Sequence, residues 1–274
     1  MHIRFGFDIA YDFPAATPVV LLLHLRPELT ARLRTPERLG IVPTVPREDF
    51  PDAFGNHGTR LVAPAGLLEL TCDAVIDDSG QPAAIVADAC EHPVSELPVE
   101  VLPFLLPSRY CDVDLLGSLD WSLFRRAAPG WQRVQSVCDW VHGHMRFDYL
   151  QARATRTAHQ AFQERTGVCR DFTHLAITLC RCLNIPARYA TGYLGDIGVP
   201  PDPEPMDFSA WMEVFLGGQW HTFDPRHNAR RIGHLVMAYG RDAADVALTT
   251  SFGPHTLRRF IIKTEEVPRT IAAA

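Results

Sequence analysis

The sequence predicts an α+β fold, with an antiparallel β-rich region first and a helical region carrying a late β-hairpin after it. Apolar residues alternate with period two through much of the first hundred positions, whereas beyond residue 128 they recur at helical spacing. Gly217 and Gly218, set between two β-prone runs, mark a two-residue hairpin turn.

In the first region, Ile3, Phe5, Phe7, Ile9, Tyr11 and Phe13 are apolar, with His2, Arg4, Asp8 and Asp12 among the residues between them. This is the pattern of a half-buried strand. Val19 to Leu25 is nearly all apolar and predicts a second strand. Leu68, Leu70, Cys72, Ala74 and Ile76 alternate against Glu69, Thr71, Asp73 and Asp77, and Asp78-Ser79-Gly80 turns the chain toward a further strand over Ala83 to Val86. The prolines from Leu97-Pro98 to Pro107-Ser108 disfavour regular structure and mark a linker. The expected division is a β-rich domain over 1–115 and a second domain over 116–274 that includes the C-terminal strands.

Val134, Val137, Cys138, Val141 and Met145 predict an amphipathic helix from Trp131 to His144. Thr157-Ala158-His159-Gln160 reads as a capping box opening a short helix through Glu164. Gly167 allows a turn into a helix whose buried stripe is Phe172, Leu175, Ala176, Leu179 and Leu183, ended by Asn184 and Pro186. A strand over Ala187 to Leu194, a Pro- and Gly-rich loop at 195–205, the hairpin, and strands at Ala247 to Phe252 and Leu257 to Thr264 complete the chain.

With 274 residues, 47% of them hydrophobic, the chain has ample material for a core, and a net charge of −6 without a basic run provides no footprint for nucleic acid or an anionic membrane. No apolar run reaches the roughly eighteen residues of a membrane span. The opening residues lack the pattern of a secretory signal. Seven scattered cysteines disfavour a disulfide framework, so the expected location is the cytoplasm. Cys180 and Cys182, two apart on one helix, do not share a face, and neither do His142 and His144. No metal and no cofactor are expected.

Cys169 begins the helix that follows Gly167 and Val168. A helix N-terminus stabilises a thiolate, and the backbone N–H groups beyond it can donate to an oxyanion. If Gly217-Gly218 is the turn, Leu216 faces Gln219 and Trp211 falls opposite Asp224, with Ser209 a diagonal neighbour on the same face. His221 points to the other face. His174 lies about 140° around the helix from Cys169 and does not reach the thiol.

Gly167-Val168-Cys169-Arg170-Asp171, Ala210-Trp211-Met212-Glu213-Val214 and Trp220-His221-Thr222-Phe223-Asp224-Pro225 together resemble the transglutaminase-like superfamily. The resemblance implies a papain-related core over about 128–228, preceded by the β-rich extra domain of bacterial members. It implies Cys169 as nucleophile and Asp224 as the carboxylate that orients an imidazole. The residue at the expected histidine position is Ser209.

His227, just past the hairpin, is the candidate for a relocated base, and Trp211 and Phe208, with Trp220, are candidates for a substrate groove. A serine hydroxyl does not carry protons near neutral pH, and losing positioned acid–base help costs about 10²–10⁴-fold. Two functions therefore stand open. One is a thiol hydrolase or acyltransferase acting on peptide or amide bonds through a Cys169 thioester. The other is a catalytically impaired or inactive peptide-binding or scaffolding module on the same fold. Either takes a peptide or protein as partner.

Overall fold

The computed structural model describes residues 1–124 and 126–268. In β1 (His2–Phe13) the six alternating apolar side chains are all buried. The chain continues through β2 (Thr17–Leu21), a 3₁₀ turn at Pro27–Arg32, β3 (Gly40–Val42), β4 (Arg47–Pro51), β5 (His57–Ala63) and β6 (Gly66–Asp77). β1 pairs antiparallel with β6 along its whole length, and Leu68, Leu70, Cys72, Ala74 and Ile76 are buried as their alternation implied. Ala83 to Val86 does not form the expected strand. Its four residues follow a turn that leaves them no neighbouring strand to pair with.

The proline-rich segment is more regular than its composition suggests. It forms short 3₁₀ helices at Val94–Glu96 and Val99–Leu105, the second burying Val101 and Phe104. Such turns tolerate proline because few of their N–H groups need an internal partner.

The second region contains α1 (Val113–Phe124), α2 (Trp131–His144), β7 (Arg146–Phe147), a 3₁₀ turn at Tyr149–Gln151, α3 (Ala158–Glu164), β8 (Thr166–Gly167) and α4 (Cys169–Cys182). It continues with β9 (Ala187–Tyr193), β10 (Ser209–Leu216), β11 (Gln219–Phe223) and β12 (Leu235–Gly240), followed by β13 (Thr249–Ser251) and β14 (Thr256–Val267). The α2 boundaries are those the periodicity predicts, and the Thr157–Gln160 capping box is present at α3. Gly217 and Gly218 adopt φ of 57° and 80°, which glycine tolerates best, and Leu216 faces Gln219. Asn184, at φ 61°, ends α4 as a left-handed cap.

Among the described residues three four-stranded sheets result, in the orders β14-β1-β6-β3, β13-β2-β5-β4 and β11-β10-β9-β12, and β7 pairs with β8. The last two strands, read from sequence as part of the second region, return to complete the two sheets of the first. α4 packs on β9 and β10 of the third sheet, and α1, α2 and α3 pack against α4, around one core containing Val134, Phe172, Leu175, Met212 and Phe223. α4 is buried nearly all round rather than on one stripe. Its polar residues therefore need partners, and Arg181 finds carbonyls at Ala187, Leu106 and Arg241.

A second core joins the regions. Phe5, Leu21, Leu61 and Leu70 of the first two sheets pack with Tyr193, Phe208, Leu235 and Met237 of the third. Phe5 is fully buried, its ring centroid 5.0 Å from that of Tyr193. Phe5→Ala should therefore cost about 3–5 kcal/mol. Because the contact spans both regions, urea unfolding followed by fluorescence and by circular dichroism should show one coincident transition at a lower midpoint.

Candidate active site

The start of α4 is held by Asp171. Its Oδ2 accepts the Val168 backbone N–H at 2.9 Å, the side-chain-to-backbone half of a capping box. The same oxygen accepts from Arg156 Nη1 at 2.9 Å, with Arg156 2% exposed and the Asp171 side chain fully buried. Arg156 also pairs with Glu164 and donates to the Gln151 carbonyl. A Cβ on Gly167 would lie 2.5 Å from Asp171 Oδ2, so only glycine leaves room for the capping carboxylate. These three residues make Cys169 the first residue of the helix, where the partial positive charge of the N-terminus acts.

Cys169 is half-buried and lines an open cleft of about 430 Å³ with Arg170, Tyr189, Asp207, Ser209 and Val246. Burial pushes its thiol up to about 11, and the negative charge of Asp207 adds to the rise. The backbone N–H of Ala210, the charge of Arg226 and the N–H of Arg170 act in the opposite direction without reversing it. Arg226 lies over the Phe147 ring, 4.1 Å from its centroid, and pairs with Asp202 at 3.6 Å. Arg170 reaches the Arg153 carbonyl and lies over Tyr110 rather than facing solvent.

Ser209 opens β10 opposite Gly192 of β9. Met212 faces Phe223, the last residue of β11, so continuing the ladder by one residue sets Trp211 opposite Asp224, with Ser209 on the same face by parity. Ser209 and Asp207 also line a neighbouring pocket of about 80 Å³ that contains Tyr149, Arg226 and His227.

Asp224 is 8% exposed. Its Oδ1 accepts the backbone N–H groups of Arg226 and His227 at 3.1 and 3.0 Å, and its Oδ2 accepts Nδ1–H of His227 at 2.6 Å. Burial alone would raise this carboxyl, but the hydrogen bond and charge of His227 outweigh it and hold the group below the usual carboxylate range. The other imidazole nitrogen, Nε2, accepts from the Arg226 guanidinium. Both nitrogens of His227 are thus engaged. Among the described residues no imidazole is hydrogen-bonded to the Cys169 sulfur.

The geometry separates the sequence-predicted residues into groups. Cys169 and Ser209 share the cleft, while Asp224 and His227 form a pair beside it. Trp211 does not line the cleft. It is fully buried, with its ring 4.7 Å from His234, because the third sheet is covered on that face as well. Phe208 is 6% exposed and packs among Phe7, Tyr193 and Phe260, with only an edge on the cleft. Trp220 packs on Phe104 and Phe215 in a separate cluster.

The other histidines weighed from the sequence have contacts away from the sulfur. His174 accepts the Ala243 N–H at 3.1 Å and stacks on Tyr110, and burial holds it well below the usual histidine range. His221 bonds the Leu216 carbonyl and sits edge-on to Trp131. His142 and His144 bond Arg226 and Phe162 carbonyls respectively, as residues on different helix faces should.

Four residues near the site escaped the sequence reading: Arg156, Arg226, Asp207 and His234. Asp207 had a visible cue, since it precedes Ser209 by two and shares its strand parity. The protein packed around its carboxyl raises it above the ordinary range, despite a hydrogen bond from the Phe208 N–H. Burial drives His234, beside Asp224, down to about 4.

The sequence model of the transglutaminase-like superfamily core matches residues 122–225, a span that contains Cys169, Ser209 and Asp224. A solved structure from Cytophaga hutchinsonii, named a "putative cysteine protease", is 30% identical with a TM-score of 0.82, covering 100% of this chain and 94% of its own. The chain belongs to the transglutaminase-like superfamily. This agrees with the family and the α+β fold read from the sequence. An uncharacterized Mycobacterium leprae protein is 35% identical over 91 residues, 32% of each chain, so the match spans about a third of that relative's length. An uncharacterized Mycobacterium tuberculosis protein is 26% identical over 218 residues, 71% of this chain and 68% of that one. Among the described residues no helix is long and apolar enough to cross a membrane.

The raised Cys169 thiol has a direct kinetic signature. With the group at about 11, iodoacetamide labelling of Cys169 should accelerate about tenfold per pH unit between pH 7 and 10 and level off only near 11. Peptide mapping should find exposed Cys90 labelled first and buried Cys138 last. Arg226→Met removes a cation that favours the thiolate, so it should slow Cys169 labelling at every pH below the plateau.

Proposed function

We propose that the protein is a catalytically impaired transglutaminase-like acyl-transfer protein that binds a peptide or protein segment in the Cys169 cleft and turns over amide bonds poorly. The observation that carries this is Ser209 in the Cys169 cleft at the position where the family resemblance calls for histidine, with His227, the candidate relocated base, held by Asp224 in the neighbouring pocket.

In this reading Cys169 remains the nucleophile. Its thiolate, formed by loss of the thiol proton to solvent and favoured by the Ala210 and Arg170 N–H groups, attacks the acyl carbon; collapse of the tetrahedral intermediate breaks the bond to the amine or alcohol, which leaves with a proton from water, and gives a thioester. Two steps are slow. At pH 7 a thiol near 11 is ionised to only about one part in 10⁴, and an amine leaving group finds no imidazolium to protonate it. Esters and thioesters need less protonation on leaving, so they should still react. Release by water would be hydrolysis and release by an amine would be transamidation. A reducing compartment suits a nucleophile that must stay a thiol.

Ser209→His tests the proposal, since that side chain would enter on the face of Asp224. Wild type should cleave an activated ester slowly and a peptide amide not measurably. Ser209→His should raise the ester rate by about 10²–10⁴-fold. Cys169→Ala should abolish both rates while leaving peptide binding, followed by fluorescence anisotropy, intact. Rapid wild-type amide cleavage that depends on Cys169 would sink the impaired reading.

A further inference from the structure

We propose that His24, Asp49 and His57, in the N-terminal β-sandwich, form a binding site for a single divalent transition cation of the zinc class, separate from the Cys169 cleft. One ligand atom from each lies within 4.8 Å of the other two. The fold brings them together from distant positions. His24 follows β2, Asp49 lies on β4, and His57 opens β5. Pro51 pairs with His57 and Asp49 with Thr59, so Asp49 and His57 are diagonal neighbours on one face.

The strongest indication is His24. It is 7% exposed, and its Nε2 is buried with no hydrogen-bond partner. Leaving such an atom unsatisfied is costly, and a bound cation would satisfy it. Its other nitrogen faces a carboxylate, Nδ1 lying 3.6 Å from Glu37 Oε2, and the Glu37 side chain is only 7% exposed. Glu37 is fixed in turn by accepting the Leu25 N–H at 2.9 Å. A carboxylate behind one imidazole nitrogen, leaving the other for a cation, is the arrangement that orients metal-binding histidines.

His57 stacks on His24 with ring centroids 4.1 Å apart and planes 15° from parallel. Asp49 Oδ1 accepts from the Thr59 hydroxyl at 2.6 Å, which fixes its carboxylate. Two imidazoles and one carboxylate suit zinc and its late first-row neighbours, with water completing four-coordination. Bonds of about 2.0–2.1 Å require ligand atoms roughly 3.4 Å apart. Exposed Asp49 and half-buried His57 must move inward, and the His57 ring must tilt off His24. One feature opposes binding: Arg47 Nε lies 3.8 Å from Asp49 Oδ2. Arg47 also donates to the Leu39 carbonyl, which anchors the guanidinium to one side.

The full chain, stripped with chelator, is titrated with Co²⁺ and then with Zn²⁺ in competition. The expected result is one equivalent bound, with visible ligand-field absorption and no thiolate charge-transfer band. His57→Ala and Asp49→Asn should each weaken binding at least tenfold, Glu37→Gln should weaken it about 10–100-fold, and Arg47→Ala should tighten it. Cys169→Ala should leave it unchanged, which keeps this result independent of the proposed acyl chemistry. Metal-free circular dichroism and melting checks the fold of each variant, and Asp49→Asn, which keeps its acceptor for Thr59, carries the test if His57→Ala does not fold. No bound equivalent, a thiolate band, or wild-type affinity in Asp49→Asn would each overturn the proposal.

Discussion

The buried pair between Arg156 and Asp171 is the constraint on which the candidate site depends. One carboxylate oxygen accepts from both Arg156 and the Val168 backbone, tying the α3 approach to the first turn of α4. Breaking a buried pair of this kind costs about 3–5 kcal/mol, because the remaining charge is left without a partner. The pair's larger effect is on register. Shifting the start of α4 by one residue would rotate Phe172, Leu175 and Leu179 by about 100° and carry Cys169 away from the Ala210 N–H. Gly167 belongs to the same constraint, since any Cβ there would occupy the space of the carboxylate.

Around the cysteine, charge and proton transfer have been separated. Asp224 is buried, low and hydrogen-bonded, yet the imidazole it holds is His227, whose second nitrogen is occupied by Arg226. The positive charge closest in effect to the sulfur therefore belongs to a guanidinium. A guanidinium favours a thiolate, but it holds its protons throughout the accessible pH range and so neither accepts one from the thiol nor donates one to a leaving amine. Asp207 works against even the electrostatic benefit by raising the thiol.

What was legible in the sequence was local. The helix from Trp131 to His144, the Thr157 capping box and the Gly217-Gly218 turn each rest on signals within a few residues, and each is found where those signals point. Long-range pairing was not legible. β14 carries the apolar run Phe260-Ile261-Ile262, but nothing in it names β1 as neighbour, and Ala83 to Val86 remain irregular although their composition predicts a strand. In the candidate site, Cys169, Ser209 and Asp224 were marked by three ordered motifs. Arg156 and Arg226 were not, because an arginine reads as a solvated residue until its buried carboxylate or aromatic face is known. His227 was visible as a candidate, and what sequence could not supply was the occupant of its second nitrogen.

The sandwich and the cleft are coupled through a narrow seam. Val246, Ala247 and Leu248 form part of the cleft wall, and the Leu248 carbonyl accepts the Leu22 N–H at 3.0 Å, two residues before His24. On the same seam, Arg26 N–H reaches the Val236 carbonyl, and Asn56, next to His57, exchanges hydrogen bonds with the Tyr239 backbone. The segments that carry His24 and His57 thus add hydrogen bonds between the first two sheets and the third beside their shared core. A cation joining them would bind the folded chain alone and stabilise it by mass action. Its effect would fall first on this seam, because His24 and His57 lie within two residues of the bonds that form it. The cleft wall would become stiffer while the Cys169 thiol kept its own surroundings.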